Sequence, residues 1–370
     1  GLTHTRMDAQ YDGFGTQGLD EHGNNRLTTA SLAWTAAWSE AQDTRLSFSR
    51  SRTRYETTPD PYRTTTTLSD LLLQHNLRLG AHRLSLGLER RGDALVNDPI
   101  DRSRHQNALA LGWGWQGSGH TLQANVRFDK DSEFGNDTNG SLAWGYAFAP
   151  NWRVTASAGT AFRVPTLYQR FSRYGAADLR PEKSRNVELG LRWAQGASSF
   201  DATVYQNRVR NLISFGAAGP CADAFGCYEN GGRAVYEGVT LAARHKLSGA
   251  LGTWHLGGSL DLQHPHSVAT GKQLARRAKQ LLKVNADTRI GMWTLGGEWQ
   301  LSSHRWDNAA NTNRLAGYGV VNLYASATLA REWTLLARVD NVGDRDYSVA
   351  RGYATAGRSF YLGLRWSPRL

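Results

Sequence analysis

His264, Pro265 and His266 set two imidazoles two residues apart, a spacing that can offer both to one metal ion. A pair of histidines exposed on a loop is more often simply polar, so no metal ligand is assigned and no cofactor is expected. Cys221 and Cys227 stand close together in a Gly- and Ala-rich loop. In an exported protein that spacing reads as a local disulfide; the alternative, a metal pair, lacks a second pair or a well-placed His beside it. Tyr168, Arg170, Arg173 and Tyr174 bring aromatic faces and guanidinium donors into one stretch, which is the chemistry of holding a ligand rather than transforming it. Trp306 and Tyr353, in later polar stretches, extend this ligand-binding set. Arg276-Arg277-Ala278-Lys279 is a basic run suited to lipopolysaccharide phosphates or simply to water. The 11 His residues are scattered, and sequence brings no Ser/His or Asp/His constellation together, so no catalytic residue is named and no enzyme is expected.

The elements between these residues alternate apolar and polar with a period of two. Leu122, Ala124, Val126 and Phe128 back onto Gln123, Asn125, Arg127 and Asp129; Val187, Leu189, Leu191 and Trp193 back onto Asn186, Glu188, Gly190 and Arg192. The same pattern runs through Leu32–Trp38, Leu84–Leu88, Trp293–Leu301 and Trp333–Val339, and ends at Phe360, Leu362, Leu364 and Trp366. Side chains on a strand point to opposite faces in turn, so each set is one apolar stripe backed by one polar stripe. No stretch reaches the 18 or so apolar residues of a membrane helix. A wall with lipid on one face and water on the other is what remains.

The connections alternate too. Short ones fall at Ser39–Gln42, Gly80–Ala81, Gln116–Gly119, Ala149–Asn151, Ala194–Ser198, Leu247–Gly252, Arg289–Met292 and Leu329–Glu332. Long polar ones fall at Asp12–Asn25, Thr57–Tyr62, Gly92–Asp101, Asp129–Gly140, Thr160–Asn186, Asn211–Gly238, Pro265–Ala278, Trp306–Ala316 and Asn341–Gly357. Turns on one rim and loops on the other predict an all-β transmembrane antiparallel β-barrel of about 18 strands, with periplasmic turns and extracellular loops. The first strand then runs outward and the carboxyl end lies in the periplasm. Trp113, Trp115, Trp144, Trp152, Trp193, Trp306, Trp333 and Trp366 fall near strand ends and predict an aromatic girdle at the lipid–water boundary.

One segment is more specific than alternation. Ala158-Gly159-Thr160-Ala161-Phe162-Arg163-Val164-Pro165-Thr166-Leu167-Tyr168 runs on through Tyr174-Gly175 to Asp178-Leu179-Arg180-Pro181-Glu182-Lys183-Ser184, closing with Asn186, Glu188, Leu189, Gly190 and Leu191. It strongly resembles the signature of TonB-dependent receptor barrels. Val339-Asp340-Asn341-Val342-Gly343-Asp344-Arg345-Asp346-Tyr347, leading to Gly357-Arg358-Ser359-Phe360-Tyr361-Leu362-Gly363-Leu364, resembles their terminal strand. It departs at Val342 and Gly343, where the family usually carries a bulky apolar residue and Phe, and in running past Trp366. Pro165-Thr166-Leu167-Tyr168-Gln169, Cys227-Tyr228-Glu229-Asn230, Gly232-Arg233-Ala234, Glu237-Gly238-Val239 and Tyr353-Ala354-Thr355-Ala356-Gly357-Arg358 look most like the cobalamin receptors. The resemblance implies 22 strands and an amino-terminal plug, so residues 1–370 read as a carboxyl-terminal barrel portion with about four strands and the plug absent. The TonB-contacting segment and the calcium loops of cobalamin receptors belong to the part not given. An opened sheet of this kind would not by itself transport, because unpaired edge groups in lipid are costly.

Lys plus Arg total 43 against 32 Asp plus Glu, a formal net charge of +11. The Arg residues sit singly in polar stripes (Arg127, Arg192, Arg338, Arg365), which suits a wet lumen and anionic headgroups and argues against nucleic acid. No nucleotide-binding motif occurs. The expected function is active uptake, across the outer membrane of a Gram-negative bacterium, of a bulky nutrient. Cobalamin is the first expectation, with a ferric siderophore as the alternative and a passive porin less favoured. TonB would act through the missing amino-terminal region.

Overall fold

The computed structural model describes residues 1–11, 20–216, 219, 221, 223–249 and 252–368, so most of the expected Asp12–Asn25 loop lies outside the described residues. The chain divides into two compact units, residues 1–144, 158–185 and 210–231 in the first and 145–157, 186–209 and 232–370 in the second.

In the first unit β1 (Leu2–Tyr11), β2 (Glu21–Ser39), β3 (Gln42–Thr58), β4 (Arg63–Leu79), β5 (His82–Asn97), β6 (Ile100–Gly117) and β7 (His120–Asp131) pair in order. Every pairing is antiparallel. Next in the chain come β8 (Gly135–Ala149), β9 (Trp152–Arg163) and β10 (Glu182–Gln195), each divided between the units, helix α1 (Leu167–Phe171) in the first, and β11 (Ser198–Arg210), almost all in the second. The short strands β12 (Ile213–Phe215) and β13 (Tyr228–Asn230) pair with each other. In the second unit β14 (Arg233–Gly249), β15 (Gly252–Gln263), β17 (Gln280–Ile290), β18 (Trp293–Ser302), β21 (Tyr318–Ala330), β22 (Trp333–Asp340) and β23 (Ser359–Trp366) pair in order. Two-residue strands fill the loops between them: β16 (His266–Ser267) pairs with β14, and β19 (Arg305–Trp306) with β20 (Arg314–Leu315). Among the described residues the main sheet has 19 strands; setting aside the two residues of β16 leaves 18 long ones, as the alternation predicts.

One face of the strands in each unit is exposed and apolar. Phe360 and Leu362 are 77% and 74% exposed, and Leu32, Trp34, Phe48, Leu86, Val187 and Trp299 are exposed as well, whereas Asp129 and Asp131 are 3% exposed. In water so much bare apolar surface would be strongly unfavourable; in lipid it is the matching face. The opposite face is wet and charged. On it Asp70 stands directly across from Arg91, Arg91 and Arg127 both hold Glu89, and Arg127 holds Asp129 at 2.8 Å. Of these, Arg91, Arg127 and Asp129 line a cavity of about 590 Å³ in the first unit together with Gln74, Gln106 and Asn125.

The expected short connections are tight turns, such as Glu40–Ala41, Gly80–Ala81, Ser118–Gly119 and Gly196–Ala197. Ser118 (φ 49°) and Gly119 (φ 78°) both sit in the left-handed region, the backbone that matches strand twist in a two-residue hairpin. Tryptophans crowd this rim as expected. Trp113 donates to His82 at 3.2 Å and Trp366 to Glu332 at 3.1 Å; Trp333 stacks on Trp366 with centroids 6.2 Å apart. Trp306 instead lies in β19, on the loop side.

Two expected long loops are corrected. β5 and β6 stay paired up to Asn97–Ile100, so Gly92–Asp101 is a hairpin turning at Asp98–Pro99; Asp129–Gly140 is likewise mostly strand, with β7 ending at Asp131 and β8 starting at Gly135. Beyond the lipid both faces of a strand meet water, so apolar alternation stops while backbone pairing continues. Alternation marks where lipid ends, not where the strand ends.

Candidate ligand-binding loops

Segment 164–181 is fixed from its first residues. Thr166 caps α1: its Oγ1 accepts from the Gln169 amide at 3.1 Å, and Gln169 Oε1 accepts from the Thr166 amide at 3.0 Å. This reciprocal capping box satisfies two otherwise orphaned donors. Pro165 and Leu167 are fully buried. Arg104 donates to the Pro165 carbonyl at 2.8 Å and pairs with Asp93 at 2.9 Å. At Gly175 a Cβ would sit 2.5 Å from the Arg170 carbonyl carbon, so the chain can double back after Tyr174 only on glycine.

The L-R-P-E element works through Glu182. Its Oε2 takes Arg163 Nε at 2.7 Å and its Oε1 takes the Ile213 amide at 2.7 Å. One carboxylate thus ties the end of β9 and the start of β12 to β10. Asn230 clamps Arg180 in both directions, accepting from its amide at 2.9 Å and donating to its carbonyl at 3.1 Å. The Tyr228 amide donates to the Tyr174 carbonyl at 2.9 Å. Segments 164–181 and 211–231 are therefore one structure, sharing a small core of Ala176, Leu179 and Ile213 against Tyr228. The expected disulfide is there: Cys221 and Cys227 are bonded, with Cα atoms 5.7 Å apart.

An aromatic cluster crowns this core. Tyr62 donates to the Tyr168 hydroxyl at 2.9 Å. Tyr168 meets Tyr228 edge to face at 6.3 Å, Tyr228 meets Phe215 at 5.3 Å, and Phe215 meets Tyr174 at 5.8 Å. Burial raises the phenol pKa values of Tyr62, Tyr168 and Tyr228, and in Tyr168 the bond from Tyr62 adds to it. All three are neutral hydroxyls at any physiological pH. Arg173 lies over Tyr174 at 5.1 Å and holds Asp223 at 2.5 Å, yet its side chain is 58% exposed. The amide of Phe225 and then Arg173 hold the Asp223 carboxyl below its ordinary range, against burial.

The expected ligand-binding residues divide by position. Tyr168, Arg173 and Tyr174 gather in this cluster; Arg170 is spent internally, on Glu133 and the Ala177 carbonyl, between the rings of Phe134 and Phe171. Trp306 and Tyr353 belong to the second unit. There Asp307 accepts from Arg276 Nε at 2.9 Å and from the Arg351 amide at 3.1 Å, tying their two loops together. Tyr353 is 57% exposed. Sequence reading passed over Tyr62, Phe215 and Asp223. The signal available was only that aromatic residues recur in loops with no strand period to explain them. The surface built here offers ring faces and guanidinium donors, which suits a large ligand rich in flat and acceptor groups.

The class of protein follows from the whole chain. Residues 3–342 match the family described as TonB dependent receptor-like, beta-barrel, and the chain belongs to that family, whose members are outer-membrane receptors and transporters. Among its relatives, the vitamin B12 transporter BtuB of Vibrio cholerae serotype O1 is 31% identical over 281 residues, covering 74% of this chain and 44% of that protein. The chain thus spans less than half the length of that relative. In fold it is similar to the copper transporter OprC (TM-score 0.78, 17% identity, 94% of this chain and 66% of that one). It is also similar to a ferric enterobactin receptor of Pseudomonas aeruginosa (TM-score 0.74, 19% identity, 94% and 62%).

Proposed function

We propose that residues 1–370 are the ligand-capturing barrel portion of a TonB-dependent transporter in the outer membrane of a Gram-negative bacterium, and that its nutrient is cobalamin. The observation that carries the substrate is the 281-residue similarity to a vitamin B12 transporter, which runs at 31% where the metal and siderophore receptors reach 17% and 19%. The loop chemistry agrees with it. A corrin is broad and flat and is fringed with amides, and Arg173, braced by Asp223 and Tyr174, keeps an exposed guanidinium edge that could donate to them. Arg173, Tyr174 and Tyr168 are the proposed contacts of the first unit, and Trp306 and Tyr353 those of the second, each unit taken by itself. TonB would engage amino-terminal sequence outside residues 1–370, and lipopolysaccharide would meet the basic run at Arg276–Lys279.

The test is a titration of the full-length protein with cyanocobalamin, followed by tryptophan quenching. Saturable binding that Arg173→Ala weakens about tenfold, the equivalent of roughly 1.4 kcal/mol, would support both substrate and site. Quenching by a ferric siderophore and none by cyanocobalamin would keep the receptor class and overturn the substrate.

A further inference from the structure

In the second unit a third group joins the two histidines of the His264-Pro265-His266 loop. Glu237 of β14 lies beside them, and the candidate ligand atoms of Glu237, His264 and His266 all fall within 4.8 Å of one another. We infer that Glu237, His264 and His266 form a binding site for a divalent transition-metal ion of the zinc class, with two imidazoles and one carboxylate as its ligands. This site is independent of the nutrient proposed above.

Four features argue for a built site rather than a chance cluster. Its backbone is fixed by sheet register: His266 stands opposite Val235 in the β14–β16 pairing, and the His264 amide donates to the Glu237 carbonyl at 2.7 Å. Between the histidines Pro265 is fully buried, which pins the loop. His264 Nδ1 is already 3.5 Å from Glu237 Oε1, near the roughly 3.3 Å that separates two ligands 2.0–2.1 Å from a tetrahedral ion. The two rings stack with centroids 4.5 Å apart, and a nitrogen of each lies within 4.8 Å of the other and of a Glu237 carboxylate oxygen.

The surrounding hydrogen bonds select the metal-binding forms. His266 Nδ1 is 3.1 Å from the carbonyl of His264. A carbonyl only accepts, so Nδ1 carries the proton and Nε2 keeps its lone pair. Metal-ligating histidines are commonly held this way, by a backbone carbonyl on the other ring nitrogen. Glu237 is oriented likewise, since its Oε2 accepts from Gln206 Nε2 at 2.8 Å while Oε1 faces His264. Imidazole with carboxylate suits zinc and its neighbours in the transition series, rather than calcium or magnesium, which take oxygen ligands. Three protein ligands leave a fourth position for water or for a donor atom of an arriving ligand.

The measurement is a titration of chelator-treated, untagged full-length protein in detergent with Zn²⁺, by calorimetry, with Co²⁺ absorption reporting the ligand set. One ion per chain is expected, with a tetrahedral Co²⁺ spectrum. His264→Ala, His266→Ala and Glu237→Gln should each weaken binding at least 100-fold, and Gln206→Ala about 10-fold, as loss of an orienting partner does. His304→Ala, elsewhere in the same unit, should leave it unchanged. No saturable binding up to millimolar Zn²⁺, or binding that the three ligand variants do not weaken, would overturn the site. Retained heat-modifiable migration of the variants separates a lost ligand from a lost fold.

Discussion

The loops of the two units are held together by different physics. In the first, segments 164–181 and 211–231 share an apolar core, a helix with a capping box and a disulfide. In the second, short strand pairings and the buried Pro265 are joined by single polar side chains that set the path of each loop. Asn341, at φ 49°, accepts from the Arg345 amide at 2.8 Å and donates to its carbonyl at 2.9 Å. Asn311, at φ 55°, exchanges the same pair of bonds with Gln273, each at 2.9 Å. Asp344 accepts the Arg358 amide at 2.8 Å and so leads the chain into β23. Asn and Asp tolerate the left-handed region and mimic a backbone turn, which fixes a loop's path without filling its interior. The first unit's loops therefore share a packed interior, whereas the second's are tied mainly through hydrogen bonds.

The largest effect that would break this contrast is expected from Leu167→Ala. Removing a buried leucine should cost about 3 kcal/mol, and amide exchange should accelerate through 164–181 and 211–231 but not through 303–317. Uniform acceleration would mean that the two loop sets are not separately supported. Replacing both Cys221 and Cys227 with Ser removes a short cross-link, worth about 2 kcal/mol by loop entropy. Limited proteolysis should then cut within 211–231 while the strands stay intact. Asp307→Asn should be milder, about 1 kcal/mol, and should free 276, 306 and 351 together; a change at only one of them would show that Asp307 is not their common tie.

The smallest effects come from pH. The carboxyls of Asp223 and Asp307 are both held low: Asp223 by the Phe225 amide, against burial, and then by Arg173; at Asp307 burial pushes upward most, and the Arg351 amide and Arg276 together outweigh it. A lowered carboxyl stabilises fully above its unfolded value, near 4, and loses that contribution as pH falls through the folded value. Both loop sets should hence hold from pH 8 to 5 and loosen only below about 4. The raised phenols act at the other end. Their neutral form is favoured, so stability is full below about 10 and declines as pH rises past it. Alkali should loosen the first unit's loops before the second's, as exchange or tyrosine absorbance would report; the reverse order would remove Tyr62, Tyr168 and Tyr228 from the account.

The sequence by itself determined the sheet, the tight turns, the family and the disulfide. Each rests on local chemistry: a strand alternates with period two because its side chains do, a turn needs Gly or a tolerant residue at positive φ, and Cys227 finds Cys221 six residues away. It also put Tyr168, Arg173 and Tyr174 within one stretch. It did not show that β5 and β6 climb past the lipid, because paired strands in water carry no apolar signal. Nor did it show that Arg170 is spent on Glu133, or that Tyr62 reaches Tyr168 across 106 residues. Only the tertiary structure brought Glu237 to His264 and His266, because a ligand set drawn from two strands is decided by register, and register is a property of the sheet rather than of any stretch of chain.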